Sequence, residues 1–171
     1  MDALTINQPA PDFSLPGLDG RVFRLGDLRG RVVVINFWSA ECPWAAKTDE
    51  EMKKYSEAWG AQVVLLRVAA NANEPDEMLR DASQARDLDI VLKDFAAKVA
   101  DLYAAQTTPH LFVVDKEGIL RYQGAFNDVT FRQRTPTRHY LKEAVDALLA
   151  GRLPEVAEAP PYGCTIVREA F

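Results

Sequence analysis

The side chains in this sequence that are most capable of chemical reaction are those of two cysteines, Cys42 and Cys164. Cys42 lies between a strongly apolar run and Pro43, a proline that suits the first turn of a helix. The unpaired N–H groups and the positive dipole end of such a helix favour a thiolate over a thiol. Glu41 opposes this effect and Lys47 supports it weakly. The sequence therefore indicates a reactive thiol at Cys42, against the alternative of a small, inert apolar residue.

The two histidines are the remaining candidates for metal binding or acid–base chemistry. Together with the cysteines they form no compact zinc motif, and two cysteines are too few for a disulfide scaffold. His110 follows a proline and enters an apolar run, which favours a core histidine over a base for Cys42. His139 lies in a basic cluster, typical of a solvated loop more than of an anion site, with Arg132, Arg134 and Arg138. We predict no metal and no cofactor.

Length and composition bound the class of protein. The 171 residues suit one domain, and 48% apolar with 26% charged residues is typical of soluble globular chains. The 20 basic and 25 acidic residues give a net charge of −5, which argues against a nucleic-acid partner. The start, Met1 to Ile6, lacks the basic and apolar regions of a secretory signal, and no apolar run is long enough for a membrane span. We therefore predict a cytoplasmic protein without a nucleic-acid or membrane partner.

The hydrophobic pattern predicts alternating strands and helices around the reactive thiol. Val32–Trp38 is mainly apolar at both its odd and its even positions. This pattern is typical of a strand whose two faces are both buried in a helix-covered sheet. An amphipathic helix is predicted over 43–59, a second buried strand over 62–69, and a helix over 76–85 entered at Pro75. These elements form one βαβ crossover, which is normally right-handed.

Prolines and glycines divide the other segments. Asp19-Gly20 predicts a turn between an extended segment over 6–15 and a strand over 21–25. The remaining elements are a strand over 90–92, a helix over 95–103, a hairpin of 111–114 with 119–123, a helix over 135–149 with Thr135 as N-cap and Pro136 next, and an extended tail. This order predicts an α/β sandwich with a central mixed sheet and helices on both faces.

Several segments together resemble the thioredoxin-like redoxins of the alkyl hydroperoxide reductase and thiol-specific-antioxidant group, a peroxiredoxin-like branch. The resemblance runs from about Ile6 to Gly124 and is carried by the sequences APDFSL (10–15), DG (19–20), LRG (28–30), VVVINFWSAECP (32–43) and TP (108–109) before LFVVD (111–115). It implies a thioredoxin-like α/β/α sandwich with an N-terminal extension. The segment PPYGCTI (160–166) resembles the Gly-Cys-Ser/Thr-Ile tail of one subgroup. We therefore predict a redoxin domain over 1–151 and a dependent tail over 152–171.

The resemblance implies a thiol-based oxidoreductase with Cys42 as the attacking thiolate. Ala45 stands where the thioredoxin pair has its second cysteine, so Cys164 is the only internal candidate to resolve Cys42. The alternative is that Cys164 packs on the surface or links two chains. The resemblance also implies a cis proline loop at Thr108-Pro109 that faces Cys42 and pairs with an extended substrate. The substrate-binding residues are then expected to be Pro43, Trp44, Thr108 and Pro109, whereas Trp38 is expected in the core.

The implied substrate is a disulfide or a hydroperoxide, with an external thiol reductant such as a thioredoxin or glutathione system. Ser39 occupies the Thr/Ser position of the peroxiredoxin pattern, but Ile35 replaces its proline. Two alternatives stay open at this point. One is a monothiol enzyme that is resolved by an external thiol without Cys164. The other is a redox-inactive thioredoxin-fold module that holds an extended peptide at Thr108-Pro109, which the alanine at position 45 favours.

Overall fold

Strands and helices alternate along the chain in the computed structural model, which describes residues 4–169. In chain order they are β1 (Ser14–Pro16), β2 (Val22–Arg24), β3 (Val32–Trp38), α1 (Pro43–Trp59), β4 (Val63–Ala69), α2 (Asp76–Ala85), β5 (Val91–Lys93), α3 (Lys98–Leu102), β6 (Thr107–Thr108), β7 (His110–Val114), β8 (Leu120–Gly124), α4 (Tyr140–Leu149) and β9 (Cys164–Thr165). Short 3-10 turns follow β2, α1 and β5. The predicted sandwich with a mixed sheet is confirmed.

The central sheet has five strands in the order β5-β4-β3-β7-β8. β3 pairs in parallel with β4, and β4 with β5, whereas β7 is antiparallel to both β3 and β8. The middle strand β3 is buried at every residue, as its sequence predicts. The carboxyl ends of β3, β4 and β5 meet at one edge of the sheet, and the chain that leaves β3 there carries Cys42.

Side-chain alternation along β3 builds a core on each face of the sheet. Val33, Ile35 and Phe37 pack with the N-terminal segment and with residues of α3. Val32 and Val34 point the other way and pack against α1 and α4. The second face therefore packs α1 against the sheet, and with it Cys42 at the start of that helix.

The C-terminal tail follows the domain surface and ends beside β6. It runs parallel to β8 at Glu158, and a Cβ on Gly124 would collide with the backbone of Ala159. Further on, β9 pairs antiparallel with β6. The tail thus brings Cys164 to the edge of the sheet that carries Cys42, although the division at residue 151 stays a prediction.

Two predicted helices begin later than the sequence indicates. The last helix begins at Tyr140 and not at Thr135, because Asp128 binds the backbone N–H of Thr137 at 2.8 Å and holds a non-helical loop. The carboxylate of Glu143 accepts the N–H of His139 at 2.9 Å and so gives this backbone donor a partner where the helix begins. Pro136, a good first helical residue, therefore lies in the loop.

The helix expected over 95–103 is correct only in its second half. Ala96 and Ala97 have φ values of 61° and 53°, in the left-handed region. The carboxylate of Asp94 accepts the N–H groups of Val99 and Ala100, which starts the regular helix at Lys98. Pro75, expected as the first helical residue, immediately precedes α2 instead.

The predictions about the chain start concern residues that are only partly described, because residues 1–3 lie outside the described part. Within residues 4–169, no helix is both long and apolar enough to cross a bilayer.

Candidate functional site

The two cysteines meet as a disulfide at the carboxyl edge of the sheet. Cys42 immediately precedes α1, with Pro43 as the first helical residue, as predicted. Cys164 lies in β9, opposite Thr108 of β6, and its Cα is 6.2 Å from that of Cys42 across 122 residues of sequence. Cys42 is 3% exposed, whereas Cys164 is half-buried. Both thiols that the sequence singles out therefore belong to one site.

A buried glutamate, Glu74, holds the loop that presents Cys42. The hydroxyl of Ser39 donates to the Glu74 carboxylate at 2.5 Å, and the N–H of Ala40 donates to it at 2.7 Å. The same hydroxyl oxygen accepts the N–H groups of Glu41, at 3.2 Å, and Cys42, at 3.1 Å. Every residue from Ser39 to Cys42 is thereby tied to one carboxylate, directly or through Ser39. The sequence analysis did not identify Glu74.

A network of three charged residues, Arg86, Asp49 and Arg67, also holds this loop. Arg86 donates to the carbonyl of Ala40 at 2.6 Å and to the carboxylate of Asp49 at 3.1 Å. Asp49, 3% exposed, also accepts from Arg67 at 3.1 Å and from the indole N–H of Trp38 at 2.7 Å. Trp38 is therefore a core residue, as expected, and its N–H is satisfied. Sequence reasoning missed the three charged residues because isolated charges on a helix or strand usually face solvent.

The Thr108-Pro109 loop faces the sulfur of Cys42. Its peptide bond is cis, and the carbonyl oxygen of Thr108 lies 3.1 Å from Sγ of Cys42. The backbone of Thr108 pairs with Cys164 of the tail. The position at which an extended substrate was expected to pair is thus taken by the protein's own C-terminal strand.

A cavity of about 170 Å³ lies along the first turns of α1. Its apolar wall is formed by Trp44, Pro109, Phe126 and Tyr162. Trp44 and Tyr162 pack edge to face with ring centroids 5.0 Å apart. The charged residues that line it are Lys47, Glu50, Glu51, Arg134 and His139. Two of the predicted substrate-binding residues, Trp44 and Pro109, therefore line one cavity, but their role in substrate binding stays a prediction.

His110 is a buried core residue, as the sequence favours. It is 6% exposed, its ring stacks on Phe112, and its Nδ1 accepts the N–H of Gln106 at 3.1 Å. Burial lowers the pKa of His110 to about 4, so the imidazole is neutral near pH 7. Among residues 4–169, no three His, Cys, Asp or Glu side chains cluster closely enough to hold a metal ion.

The lowered pKa of His110 predicts a pH dependence of stability. In the unfolded chain this imidazole binds a proton near its ordinary pKa of 6.5, whereas the folded protein resists protonation down to about 4. As the pH falls between these values the unfolded state binds more protons, so stability is lost. We expect the stability difference between the wild type and His110→Asn to shrink by about 2–3 kcal/mol between pH 7 and pH 4.5. Urea unfolding at both pH values measures it, and a pH-independent difference would contradict a neutral buried His110.

Comparison with known proteins places these features among redox proteins. The AhpC/TSA family profile matches residues 6–123. The thiol-disulfide oxidoreductase ResA of Geobacillus thermodenitrificans is 29% identical over 123 residues, which cover 68% of this chain and 67% of that protein. The thioredoxin-like protein YneN of Bacillus subtilis is 28% identical over 116 residues, or 67% of this chain and 68% of YneN.

Solved structures extend the similarity to the tail. A hypothetical protein, SMc02350, from Sinorhizobium meliloti is 28% identical with a TM-score of 0.87, and covers 99% of this chain and 98% of its own. A conserved protein from Geobacillus kaustophilus is 25% identical with a TM-score of 0.88, and covers 100% of this chain and 98% of its own. The family match stops before Cys164, whereas these two structures span almost the whole chain. The fold is thioredoxin-like, and the tail is part of the shared architecture.

Proposed function

This chain belongs to the AhpC/TSA family, and we propose that it is a thiol-disulfide oxidoreductase in which Cys42 attacks the substrate and Cys164 resolves the intermediate. The observation that carries the proposal is the disulfide between a cysteine at a helix start and a cysteine on the tail strand. Relatives named as thiol-disulfide oxidoreductases support the reaction class.

The surroundings of the two sulfurs assign their roles. Cys42 lies directly before α1, where the helix dipole and free N–H groups stabilise a thiolate, and Cys164 lies on a two-residue strand without that stabilisation. The helix start therefore makes Cys42 both the better attacking group and the better leaving group. Glu74 and Arg86 keep its loop in place by binding the N–H and the C=O of Ala40.

The reaction then proceeds in two exchanges. The Cys42 thiolate attacks one sulfur of a substrate disulfide, forms a mixed disulfide, and releases the first half of the substrate as a thiolate. The Cys164 thiol next loses its proton and attacks Sγ of Cys42, which expels the second half as a thiol. Two electrons have passed to the substrate, and the Cys42–Cys164 disulfide is the product on the enzyme. An external thiol, from a thioredoxin or glutathione system, returns the electrons.

Disulfide exchange fits the loop better than hydroperoxide reduction does. The Ser39 hydroxyl donates its only proton to Glu74, and its oxygen accepts two backbone N–H groups. It is therefore not available to donate a hydrogen bond to a peroxide oxygen. Peroxiredoxin-like activity and a cytoplasmic location stay predictions. Kinetics with hydroperoxides tests the first, and cell fractionation tests the second.

Intact mass with thiol alkylation tests the proposed couple. After mild oxidation we expect the wild type to lose two hydrogens without forming a dimer, and either Cys42→Ser or Cys164→Ser to abolish this loss. Only the oxidised wild type should resist alkylation at both cysteines. A covalent dimer would indicate that Cys164 links two chains, whereas two thiols that stay alkylatable would favour the redox-inactive binding module.

A further inference from the structure

The tail strand, residues 162–168, pairs with the backbone of Thr108, the position at which the family resemblance predicts that an extended substrate pairs. Cys164 pairs with Thr108, and Thr165 pairs with Thr107. We propose that the tail strand excludes extended polypeptides from Cys42 in both redox states, so that the substrates are small amino-acid-derived disulfides. This inference rests on the proposed thiol-disulfide exchange and adds the class of substrate.

The tail strand is held downstream of Cys164 by contacts that do not depend on the disulfide. The N–H of Ile166 donates to the carbonyl of Gln106 at 3.1 Å, and the Ile166 side chain is 4% exposed. Val167 donates its N–H to Asn71 at 2.8 Å and accepts the N–H of Ala72 at 2.7 Å. None of these bonds involves a sulfur atom, so reduction of the disulfide does not remove any of their donors or acceptors.

Two further contacts hold the ends of the tail strand. Arg168 binds the carboxylate of Asp101 at 2.8 Å and the carbonyl of Ala105 at 2.6 Å. At the other end, the Tyr162 hydroxyl accepts the N–H of Phe131 at 2.8 Å, and its ring packs on Trp44. The segment is therefore docked on both sides of Cys164 by side chains and backbone.

The close contact at Gly163 leaves no room for another strand between the tail strand and Thr108. A Cβ at this position would overlap the carbonyl oxygen and carbon of Thr108. The backbone of the tail thus touches the backbone of the cis proline loop directly. An extended polypeptide can pair with Thr108 only after the tail strand has left.

The partial exposure of Cys164 and a cavity near the start of α1 suit a small molecule better than an extended polypeptide. Cys164 is half-buried, and the cavity of about 170 Å³ is lined by Trp44 and Tyr162, each of which lies two residues from a cysteine along the chain. Its charged lining contains both signs, from Lys47 and Arg134 and from Glu50 and Glu51. A disulfide that carries ammonium and carboxylate groups, such as cystine or oxidised glutathione, complements this mixture of charges. Its exchange with Cys42 and Cys164 is the electron-balanced reaction given above.

The test compares a small and a polypeptide disulfide as substrates of the reduced full chain. The probes are oxidised glutathione and insulin, and the readout is the rate of the first thiol release. Because insulin would react only from the fraction with an undocked tail, we expect the wild type to favour oxidised glutathione by roughly a hundredfold. Gly163→Ala, which disturbs docking, should raise the insulin rate at least about tenfold. The matched control, Gly26→Ala, has room for a Cβ at ordinary contact distance and should behave like the wild type.

Hydrogen exchange provides an independent readout of tail docking. We expect the backbone N–H groups of Ile166 and Val167 to stay protected after reduction, because their acceptors are not part of the disulfide. Loss of this protection on reduction, or equal rates with insulin and oxidised glutathione, would overturn the substrate filter and leave the proposed function intact. No reaction with either disulfide, together with no Cys42–Cys164 oxidation, would overturn the proposed function itself.

Discussion

Cys164→Ser is expected to leave the first attack intact and to stop the cycle at a mixed disulfide on Cys42. The helix start that stabilises the Cys42 thiolate is unchanged by this substitution, so the substrate disulfide is still opened. The second exchange then depends on an external thiol, which lacks the proximity of a sulfur whose Cα lies 6.2 Å from that of Cys42. Steady-state turnover should fall roughly a hundredfold or more, since intramolecular reactions gain from proximity.

Rapid quenching and intact mass measure this result, because the mixed disulfide adds the mass of one substrate half. The informative comparison is Cys42→Ser, which removes the attacking thiol and should give neither the adduct nor turnover. Unchanged turnover in Cys164→Ser would favour the monothiol scheme, in which an external thiol resolves Cys42. It would also leave Cys164 with a structural role in the tail.

Reduction of the disulfide is expected to lower the free energy of unfolding by about 4–5 kcal/mol, the loop-closure value for a link across 122 residues. The link restricts the unfolded chain, whereas the folded tail keeps its other contacts. The effect therefore arises mainly in the unfolded state. For a protein of this size it is a large share of the total stability.

Urea unfolding of the oxidised and reduced wild type measures this difference. Cys164→Ser is the control, since its stability should not change when a reductant is added. The slope of unfolding free energy against urea should also be smaller for the oxidised protein, because a cross-linked unfolded chain exposes less surface. Equal midpoints for both redox forms would contradict a link that restricts the unfolded chain.

Local sequence predicted the elements whose signals are strong within a few residues. The apolar run of β3, the proline at the start of α1 and the span of α2 all agree with the structure. The late start of α4 was not predictable in this way. Asp128 competes for the backbone of Thr137, which lies nine residues further along the chain, and no periodic pattern records such a bond.

The groups that hold the reactive loop were also beyond local prediction. Glu74 lies 35 residues from Ser39, and Arg86 lies 46 residues from Ala40. In the sequence each is one charged residue among many, and most such residues face solvent. Their burial follows only from the packing of α2 and its preceding loop against the end of β3.

The sequence by itself determined that a cysteine lies at a helix start, that position 45 holds an alanine and not a second cysteine, and that one distant cysteine is present. These conclusions depend on residue type and short spacing, which act over a few ångströms along the chain. Only the tertiary structure decided that Cys164 reaches Cys42 and that the tail strand occupies the backbone of Thr108. Separation along the chain carries no information about distance in space, because packing of the whole domain sets where the tail runs.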